Sequence, residues 1–505
     1  MSSRANLYDT VPYPSLAFLQ THPDRLAVMG TLHGMNPPAV EQCRVLEMGC
    51  GDGSNLIPMA YGLPGSEFVG VDLAAKPVEC AQQRIKRLDL NNVRIEQMDL
   101  KKIDANFGTF DYIIAHGVYA WVPEPVQKKI LDICSANLSA NGVAFVSYNT
   151  SPAGHVRQAL REMIQFHEKH RSRPSDIAEN CVKAGRHFLE SVLKATDPRT
   201  PWKALFQDEL RLMFQRDEKV VCHDDLAESF SPVSFGDSMV RAGDCGLQFL
   251  SEAALIELLP SELGVEAIGA LSEFAGDDLI ARQQYLDFAK YRRFRQTLLC
   301  RNEIKLRRDE LLERARSLLV ASPIRASEER TDGSVEFTNS RGHGTLATNN
   351  PVVIAVLRRL EQIWPHAERF KDLVSVVRPL VPGAQQAEAF DGLAEAMLRL
   401  AANQLVDLRT YQLPLPASVS AKPTASLLAR LMVQEGTTVT TLLHTHINIE
   451  DEQGRKFLQL LDGTRDRQAL TDALAEKFPS ESRETILRQV KENLVDFYRM
   501  GLLVA

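Results

Sequence analysis

The sequence predicts a doubly wound α/β domain, followed by a mostly helical domain and two winged-helix-like modules. Short apolar runs alternate with helical patterns between residues 44 and 149, which is typical of a parallel sheet covered by helices. Apolar residues then recur at helical spacing to about residue 320, and two similar blocks of short helices follow. At roughly 100 to 200 residues per domain, 505 residues make several domains. We predict domain ranges of 1–155, 156–320, 321–412 and 413–505.

The first apolar run, RVLEM, is predicted to form a strand that ends in a glycine-rich loop. Gly49, Gly51 and Gly53 alternate in this loop, and the polar pair after the third glycine can cap a helix. Glycines remove side chains where the backbone approaches a ligand closely, and the start of a helix offers unpaired N–H groups. The loop is therefore predicted to bind a ligand.

Polar residues close three of the four strands that follow. Asp72 lies near the end of EFVGVDLA, Asp99 near the end of VRIEQMDL and His116 near the end of FDYIIAHG. The fifth strand is GVAFVSYNT. In a doubly wound sheet, ligands bind at the carboxyl ends of the strands where the strand order reverses. Asp72 lies about twenty residues after the glycines, where a carboxylate can bind ribose hydroxyls. The strand ends thus predict one continuous ligand cleft.

The segment before the first strand is rich in proline and carries Tyr8, Tyr13 and Phe18. Two interpretations are open for these aromatic side chains. They can fold over a bound ligand, or they can pack against the outside of the sheet as core residues.

Helical periodicity dominates residues 156–320, as in HVRQALREMIQFHEKH, and these helices are predicted to serve in packing or dimerisation. His167 and His170 lie three residues apart, but no further ligand stands at metal-binding spacing, so we predict a solvated face and no metal site. The basic run from Lys290 to Arg316 has acidic partners three or four residues away. We therefore predict one long, salt-bridged helix there; the alternative is a docking face for an acidic protein segment.

The last part of the chain contains an approximate repeat. Residues 393–410 and 490–505 each show a helical pattern followed by a short strand, and the linker YQLPLPASVSAKPTAS separates the two blocks. Short helices that end in a strand predict two winged-helix-like modules. Because the chain is acidic overall, we expect these modules to bind protein rather than nucleic acid.

Composition limits the class of protein further. The net charge is −7, hydrophobic residues make up 44% of the chain, and no apolar run approaches the roughly 20 residues that span a bilayer. The first residues, MSSRANLYDTVPYPS, lack the apolar core of a secretory signal. The eight cysteines are scattered without a CxxC pair, so we expect neither a disulfide framework nor a zinc knuckle. These features predict a cytoplasmic protein without membrane insertion.

The loop departs from a dinucleotide fingerprint, because GxGxxG requires glycine where Ser54 stands. The string from Glu47 to Gly53 instead resembles the E-x-G-x-G-x-G motif of class I S-adenosylmethionine-dependent methyltransferases. The resemblance implies that the glycines admit the cofactor, that Glu47 and Asp52 order the loop or reach the methionine ammonium, and that Asp72 holds the ribose. It also implies that Asp99 meets the adenine and that His116 lies near the sulfonium. The cofactor-binding residues implied in this way are Glu47, Gly49, Cys50, Gly51, Asp52, Gly53, Asn55, Asp72, Leu73, Asp99, Leu100, His116 and Gly117.

Further strings, among them AHGVYAWVP, SYNTSPAGH and HDDLAESFSPVSFGDSM, resemble bacterial methyltransferases that carry a methyltransferase regulatory domain. That family includes protein-lysine methyltransferases acting on outer-membrane proteins of intracellular bacteria. The resemblance implies S-adenosylmethionine as cofactor, S-adenosylhomocysteine as product and a protein as substrate. One departure affects the acceptor pocket, since Ser151 and Gly154 stand where the family carries aromatic residues.

Methyl transfer to lysine requires an aligned and deprotonated amine. The catalytic candidates are His116, Tyr8, Tyr13 and Tyr148, with Tyr119 and Trp121 as further groups around the acceptor. Two other functions stay open at this stage: a small-molecule O- or N-methyltransferase, and a binding protein that only senses S-adenosylmethionine. The long amphipathic helices predict a homodimer.

Overall fold

The computed structural model describes residues 9, 11, 13, 14, 16–170, 178–227, 229–258, 263–342 and 344–505. Within this part of the chain, no helix combines the length and the apolar character needed to cross a bilayer. The prediction for Tyr8 falls outside the described residues.

A seven-stranded sheet organises the first half of the chain, with the strand order β3-β2-β1-β4-β5-β7-β6. The first five strands are parallel, and β7 runs antiparallel to both of its neighbours. The order reverses between β1 and β4, which places a topological switch point at their carboxyl ends. The strands are β1 (Arg44–Met48), β2 (Glu67–Asp72), β3 (Val93–Gln97), β4 (Phe110–Ala115), β5 (Leu138–Asn149), β6 (Leu247–Glu252) and β7 (Phe294–Arg301).

Helices cover both faces of the sheet, as the alternating pattern predicts. Apolar side chains from the strands and helices form buried clusters on the two faces. The first helix precedes the sheet, and the others follow β1, β2 and β4. They are α1 (Pro23–Leu32), α2 (Leu56–Gly62), α3 (Ala75–Arg87) and α4 (Glu124–Asn137).

The region predicted to be mostly helical contains helices but also contributes the last two strands of the central sheet. The predicted long helix over Lys290–Arg316 is wrong, because residues 294–301 form β7 and only a short helix follows. β7 lies between β5 and β6, and Leu298, Leu299 and Cys300 are buried there. The helices are α5 (Gly154–His170), α6 (Ala178–Ala195), α7 (Pro201–Phe214), α8 (Glu218–Asp225), α9 (Phe235–Asp244), α10 (Val265–Ala275), α11 (Leu279–Lys290) and α12 (Leu311–Ala315).

The middle module combines two three-stranded sheets with three helices. Its closing helix is followed by a short strand, as the sequence repeat predicts. The strands are β8 (Leu319–Ala321), β9 (Ile324–Ala326), β10 (Val335–Asn339), β11 (Thr345–Thr348), β12 (Glu368–Arg369) and β13 (Asp407–Arg409). The helices are α13 (Pro351–Ile363), α14 (Phe370–Val377) and α15 (Gln386–Ala402).

The C-terminal module places a two-stranded hairpin after its first helix and has its own apolar core. Its elements are α16 (Leu427–Glu435), β14 (Thr438–Thr440), β15 (His446–Asn448), α17 (Glu452–Leu460), α18 (Arg467–Lys477) and α19 (Arg483–Arg499).

The C-terminal half is packed against the sheet domain and is not joined to it by a linker alone. One buried apolar cluster runs from Leu26 and Val45 to Leu357 and Leu428. Polar contacts add to this interface: Asp24 accepts from the backbone N–H of Thr410 at 2.7 Å. The middle and C-terminal modules therefore lie against the same domain that carries the glycine loop.

Candidate cofactor site

Three glycines with positive φ turn the loop after β1. The φ angles of Gly49, Gly51 and Gly53 are 73°, 54° and 72°. Residues with a side chain rarely adopt this region. The backbone N–H groups of Gly49 and Cys50 both donate to the carbonyl of Val71, at 2.8 and 3.2 Å. The loop is thereby folded over the end of β2. Cys50 is buried in this turn, and burial raises the pKa of its thiol well above the ordinary value.

Asp72, at the end of β2, is held by the glycine loop. One carboxylate oxygen accepts from Gly51 N at 2.9 Å and the other from Ala74 N at 2.8 Å. Burial raises the pKa of Asp72, and the two backbone hydrogen bonds oppose that shift. The next side chain, Leu73, is 62% exposed although it is apolar. A carboxylate and an open apolar surface thus adjoin at this strand end, which fits a ribose and an attached adenine.

Free space lies beside the loop that follows the carboxyl end of β4. Gly117 has φ 66° and donates its N–H to Ser147 Oγ at 2.8 Å. A Cβ at Gly117 would have no heavy atom within 4 Å, whereas a Cβ at Gly49 would lie 2.4 Å from Val118 Cγ2. The loops after β1 and β4 are therefore in close contact at Gly49, and the backbone beside Gly117 faces free space.

Asp99 and Leu100 lie at the end of β3, next to the Asp72 strand, and both are half-buried. Asp99 Oδ1 accepts from the N–H of Lys101 at 3.0 Å and caps a short 3₁₀ turn. The structure thus brings the predicted adenine residues to the strand end adjoining the predicted ribose residue.

Glu47 and Asn55 are buried behind the loop. Asn55 Nδ2 donates to Glu47 Oε1 at 2.7 Å, while the second carboxylate oxygen of Glu47 has no hydrogen-bond partner among the described residues. Burial raises the pKa of Glu47 to about 8. Asp52 accepts from the N–H of Ser54 at 3.1 Å and pairs with Arg84 at 3.4 Å. Both acidic side chains therefore contact residues that hold the loop.

His116 lies at the end of β4 among aromatic rings. Its ring centroid is 4.0 Å from that of Phe18 and 5.8 Å from that of Phe145. Burial lowers the pKa of His116 to about 4. The imidazole is consequently neutral at pH 7, and the low pKa makes it a weak base.

Two described residues of the lead-in, Asp9 and Phe18, lie near the carboxyl ends of β2 and β4, and others contact α8. Asp9 accepts from Lys76 N at 2.9 Å, at the start of α3, and the carbonyl of Val11 contacts His223 Nε2 at 2.8 Å on α8. The Tyr13 ring packs against that of His223 at a tilt of 60°, with a centroid distance of 5.4 Å, and burial raises the pKa of Tyr13 to about 12.

Two of the predicted acceptor-site tyrosines are core residues. Tyr148 is 2% exposed, and its hydroxyl contacts Thr297 Oγ1 at 3.1 Å on the neighbouring strand. Tyr119 is 1% exposed and packs 5.8 Å from the Tyr148 ring. Alternation along β5 explains this placement, since Tyr148 points to the face opposite its neighbour Ser147. Neither ring lines the open space beside Gly117 in this structure.

Trp121 belongs to a cluster that the sequence did not single out. Its ring lies 4.8 Å from that of Phe230, and the guanidinium of Arg161 sits 4.9 Å from the Phe230 centroid. Arg157 Nε donates to Asp225 at 2.7 Å. This cluster adjoins α8, the helix that the lead-in contacts.

No group of three metal-ligating side chains occurs among the described residues. His167 instead stacks on the ring of Phe188 with a centroid distance of 4.4 Å.

These features define a class I S-adenosylmethionine-dependent methyltransferase. The fold has the required switch point, and the cleft combines a glycine loop, a carboxylate at the strand end where a ribose is expected and free space beside Gly117, so the residues present fit the cofactor. Comparison with known proteins supports this class. Residues 39–200 match the Methyltransferase domain family, 217–301 the Predicted methyltransferase regulatory domain, and 421–497 the PKMT C-terminal winged helix domain.

Two relatives cover nearly the whole chain. An uncharacterised protein of Rickettsia prowazekii (strain Madrid E) is 30% identical over 480 residues, covering 93% of this chain and 85% of the relative. The structure of PKMT2 from Rickettsia typhi in complex with AdoHcy (S-adenosylhomocysteine) matches with a TM-score of 0.86 and 26% identity, covering 98% of this chain and 100% of that chain. The chain belongs to the PKMT (protein-lysine methyltransferase) family of S-adenosylmethionine-dependent methyltransferases. The predictions of the enzyme class and of S-adenosylmethionine as cofactor are confirmed.

Proposed function

We propose that the enzyme methylates the side-chain amine of lysine residues in a bacterial surface protein, most specifically an outer-membrane protein. The observation that carries the proposal is the likeness to PKMT2 over the full length, including the regulatory and winged-helix parts. A match limited to the cofactor domain would say nothing of the acceptor. The net charge of −7 supports a protein rather than a nucleic acid as substrate.

The cofactor supplies the methyl group on a sulfonium sulfur, and the protein residues position the acceptor and exclude water. We place the cofactor in the cleft formed by the glycine loop, Asp72, Leu73, Asp99 and Gly117. Asp72 binds the ribose hydroxyls through lone pairs that its two backbone hydrogen bonds leave free.

The acceptor amine enters on the side of His116 and Phe18. A lysine amine with a pKa near 10.4 must lose a proton before it attacks. The Phe18 and His116 rings, 4.0 Å apart, form a wall that desolvates the amine, which favours its neutral form. Because the His116 imidazole is itself neutral at pH 7, this wall is mainly desolvating and steric.

The test is transfer of a radiolabelled methyl group from S-adenosylmethionine to proteins of the native host, separated into membrane and soluble fractions. We expect label in membrane proteins and ε-N-methyl-lysine in their tryptic peptides by mass spectrometry. Asp72→Ala, which removes the proposed ribose ligand, is the negative control. Label confined to small molecules would contradict the proposal and favour the small-molecule alternative.

We also propose that the enzyme is a homodimer assembled through the helical domain. Phe166 on α5 and Trp202 and Leu205 on α7 are large apolar side chains exposed to solvent, which is typical of an interaction surface. Light scattering should give twice the mass of one chain, and Trp202→Glu should lower it. A single-chain mass for the wild-type protein at micromolar concentration would contradict the dimer.

The cytoplasm is the compartment that we propose for the enzyme. All eight cysteines are free thiols, and several are buried, which suits a reducing compartment. Immunodetection after fractionation of the native host should find the protein with cytoplasmic markers, and recovery with periplasmic markers would contradict this proposal.

A further inference from the structure

A histidine of the C-terminal module reaches the cofactor loop. His444 Nε2 lies 3.1 Å from the Oδ1 atom of Asn55, 389 residues earlier in the sequence. Both side chains are buried, with exposures of 4% and 6%. Asn55 is the N-cap residue before α2, directly behind the glycine loop, and donates to Glu47 Oε1 at 2.7 Å. One amide therefore links the C-terminal module to the end of β1.

The hydrogen-bond network settles the orientation of the Asn55 amide. Phe18 N, which can only donate, lies 2.9 Å from Asn55 Oδ1, so this atom is the carbonyl oxygen. Nδ2 then donates to Thr21 Oγ1 at 3.0 Å and to Glu47 Oε1 at 2.7 Å. The Thr21 hydroxyl lies 3.3 Å from Asn55 Oδ1, but its one proton goes to the nearer carbonyl of Phe18 at 2.7 Å. The amide oxygen therefore accepts from Phe18 N and has one lone pair left, which His444 Nε2–H fills. Every hydrogen-bonding position of this buried amide is used.

His444 is held rigidly by its own module. It has φ 54°, and its N–H donates to the carbonyl of Thr441 at 3.0 Å within the turn between β14 and β15. The N–H of Leu442 donates to the carbonyl of Gly501 at 2.9 Å, after the last helix. The ring also packs 5.1 Å from that of His22. The turn thus presents the imidazole in one fixed position.

We infer that His444 is a positioning residue of the cofactor site: through Asn55 it holds the glycine loop in its cofactor-binding form, so the C-terminal module sets the affinity for S-adenosylmethionine. The inference rests on the assignment of the cofactor to this loop and not on the identity of the methyl acceptor. It gives the winged helix a role in the cofactor site that is separate from binding a substrate.

The test compares three full-length variants with the wild-type enzyme. His444→Phe keeps a ring but removes the donor to Asn55, and His444→Gln restores an amide donor at similar reach. Tyr61→Phe is the matched control, because it removes another polar contact between the same two parts of the chain, Leu427 N to Tyr61 Oη at 3.0 Å, away from Asn55. Calorimetric titration with S-adenosylhomocysteine and hydrogen exchange without ligand are measured for each.

We expect the Kd of His444→Phe for S-adenosylhomocysteine to rise about tenfold, as for one lost buried hydrogen bond. His444→Gln should restore most of the affinity, and Tyr61→Phe should bind like the wild type. In His444→Phe, amides of residues 49–57 should exchange faster than in the wild type without ligand. Its KM for S-adenosylmethionine should rise more than its kcat falls. If the His444→Phe chain is poorly folded, its amides exchange faster throughout the chain and not only in residues 49–57, and the titrations of His444→Gln and Tyr61→Phe then carry the test.

Equal affinities of wild type and His444→Phe would overturn the inference while leaving the proposed function intact. Equal losses in all three variants would also overturn it, because they would indicate general loosening of the interface. If the wild-type enzyme itself fails to bind S-adenosylhomocysteine, the assignment of the cofactor to this cleft is wrong, and so is the inference about His444.

Discussion

The backbone N–H of Gly51 donates to Asp72 Oδ2 at 2.9 Å, which joins the loop after β1 to the carboxylate that ends β2. The second oxygen of Asp72 accepts from Ala74 N at 2.8 Å. Each oxygen has a lone pair left for a ribose hydroxyl. The contact fixes the carboxylate before any ligand binds, so the site is preorganised at this position.

Asp72→Asn should weaken S-adenosylhomocysteine binding by about 10- to 100-fold, because an amide nitrogen must replace one acceptor facing a backbone N–H. Isothermal titration measures the affinity directly. Asp111→Asn is a matched control, since Asp111 also accepts from a backbone N–H, that of Arg44 at 2.9 Å, but at the opposite end of the sheet. A similar loss in both variants would contradict a specific role for Asp72.

Gly117→Ala should lower cofactor affinity and activity more than it lowers stability. The added Cβ would enter the free space at the β4 end, where no heavy atom lies within 4 Å. Strain alone costs about 1 to 2 kcal/mol at a positive φ. Gly246→Ala isolates that strain, because Gly246 has φ 76° and equally open surroundings far from the cleft. Unchanged binding in the Gly117 variant would argue against cofactor in this space.

The pH dependence of kcat/KM should show no step near pH 6.5. Burial places the pKa of His116 at about 4, so the ring stays neutral from pH 6 to 9, and the rate should rise with pH as the acceptor amine loses its proton. His116→Gln should lower kcat without changing the shape of the profile. A step between pH 6 and 7 that this substitution abolishes would instead identify His116 as a general base.

The strand ends could be predicted from sequence because each signal is local. One stretch of chain contains all the signals: a strand of about five residues, the glycines that follow it and an acid about twenty residues later. This reasoning places Glu47, Asp72, Asp99 and Gly117 at or near strand ends. The order of those strands, β3-β2-β1-β4, is known only from the structure.

Two other features depend on contacts distant in sequence. The sequence predicts a helix where β7 lies because the charged residues around it pair at helical spacing, whereas burial between β5 and β6 decides the conformation. His444 gave no signal, since a single histidine in a turn has no pattern and its partner lies 389 residues away. Tyr148 is a catalytic candidate in the sequence, and alternation along β5 places its ring in the core, on the face opposite that of Ser147.

The raised pKa of Glu47 should make the free energy of unfolding depend on pH. Burial raises its pKa from 4.5 to about 8, so between these pH values the unfolded chain has lost the proton that the folded chain keeps. The folded state binds more protons, and the free energy of unfolding therefore falls as pH rises through this window. Gln at this position keeps the acceptor for Asn55 Nδ2 but cannot ionise.

Glu47→Gln should consequently gain stability over the wild type as pH rises from 5 to 8, by about 3 to 4 kcal/mol. Calorimetric Tm values of both proteins at several pH values measure the difference, and subtraction cancels the titration of all other groups. Glu79→Gln, which removes an exposed carboxylate on α3, is the matched control. A stability difference between Glu47→Gln and the wild type that does not change with pH would mean that Glu47 is ionised in the folded enzyme at neutral pH.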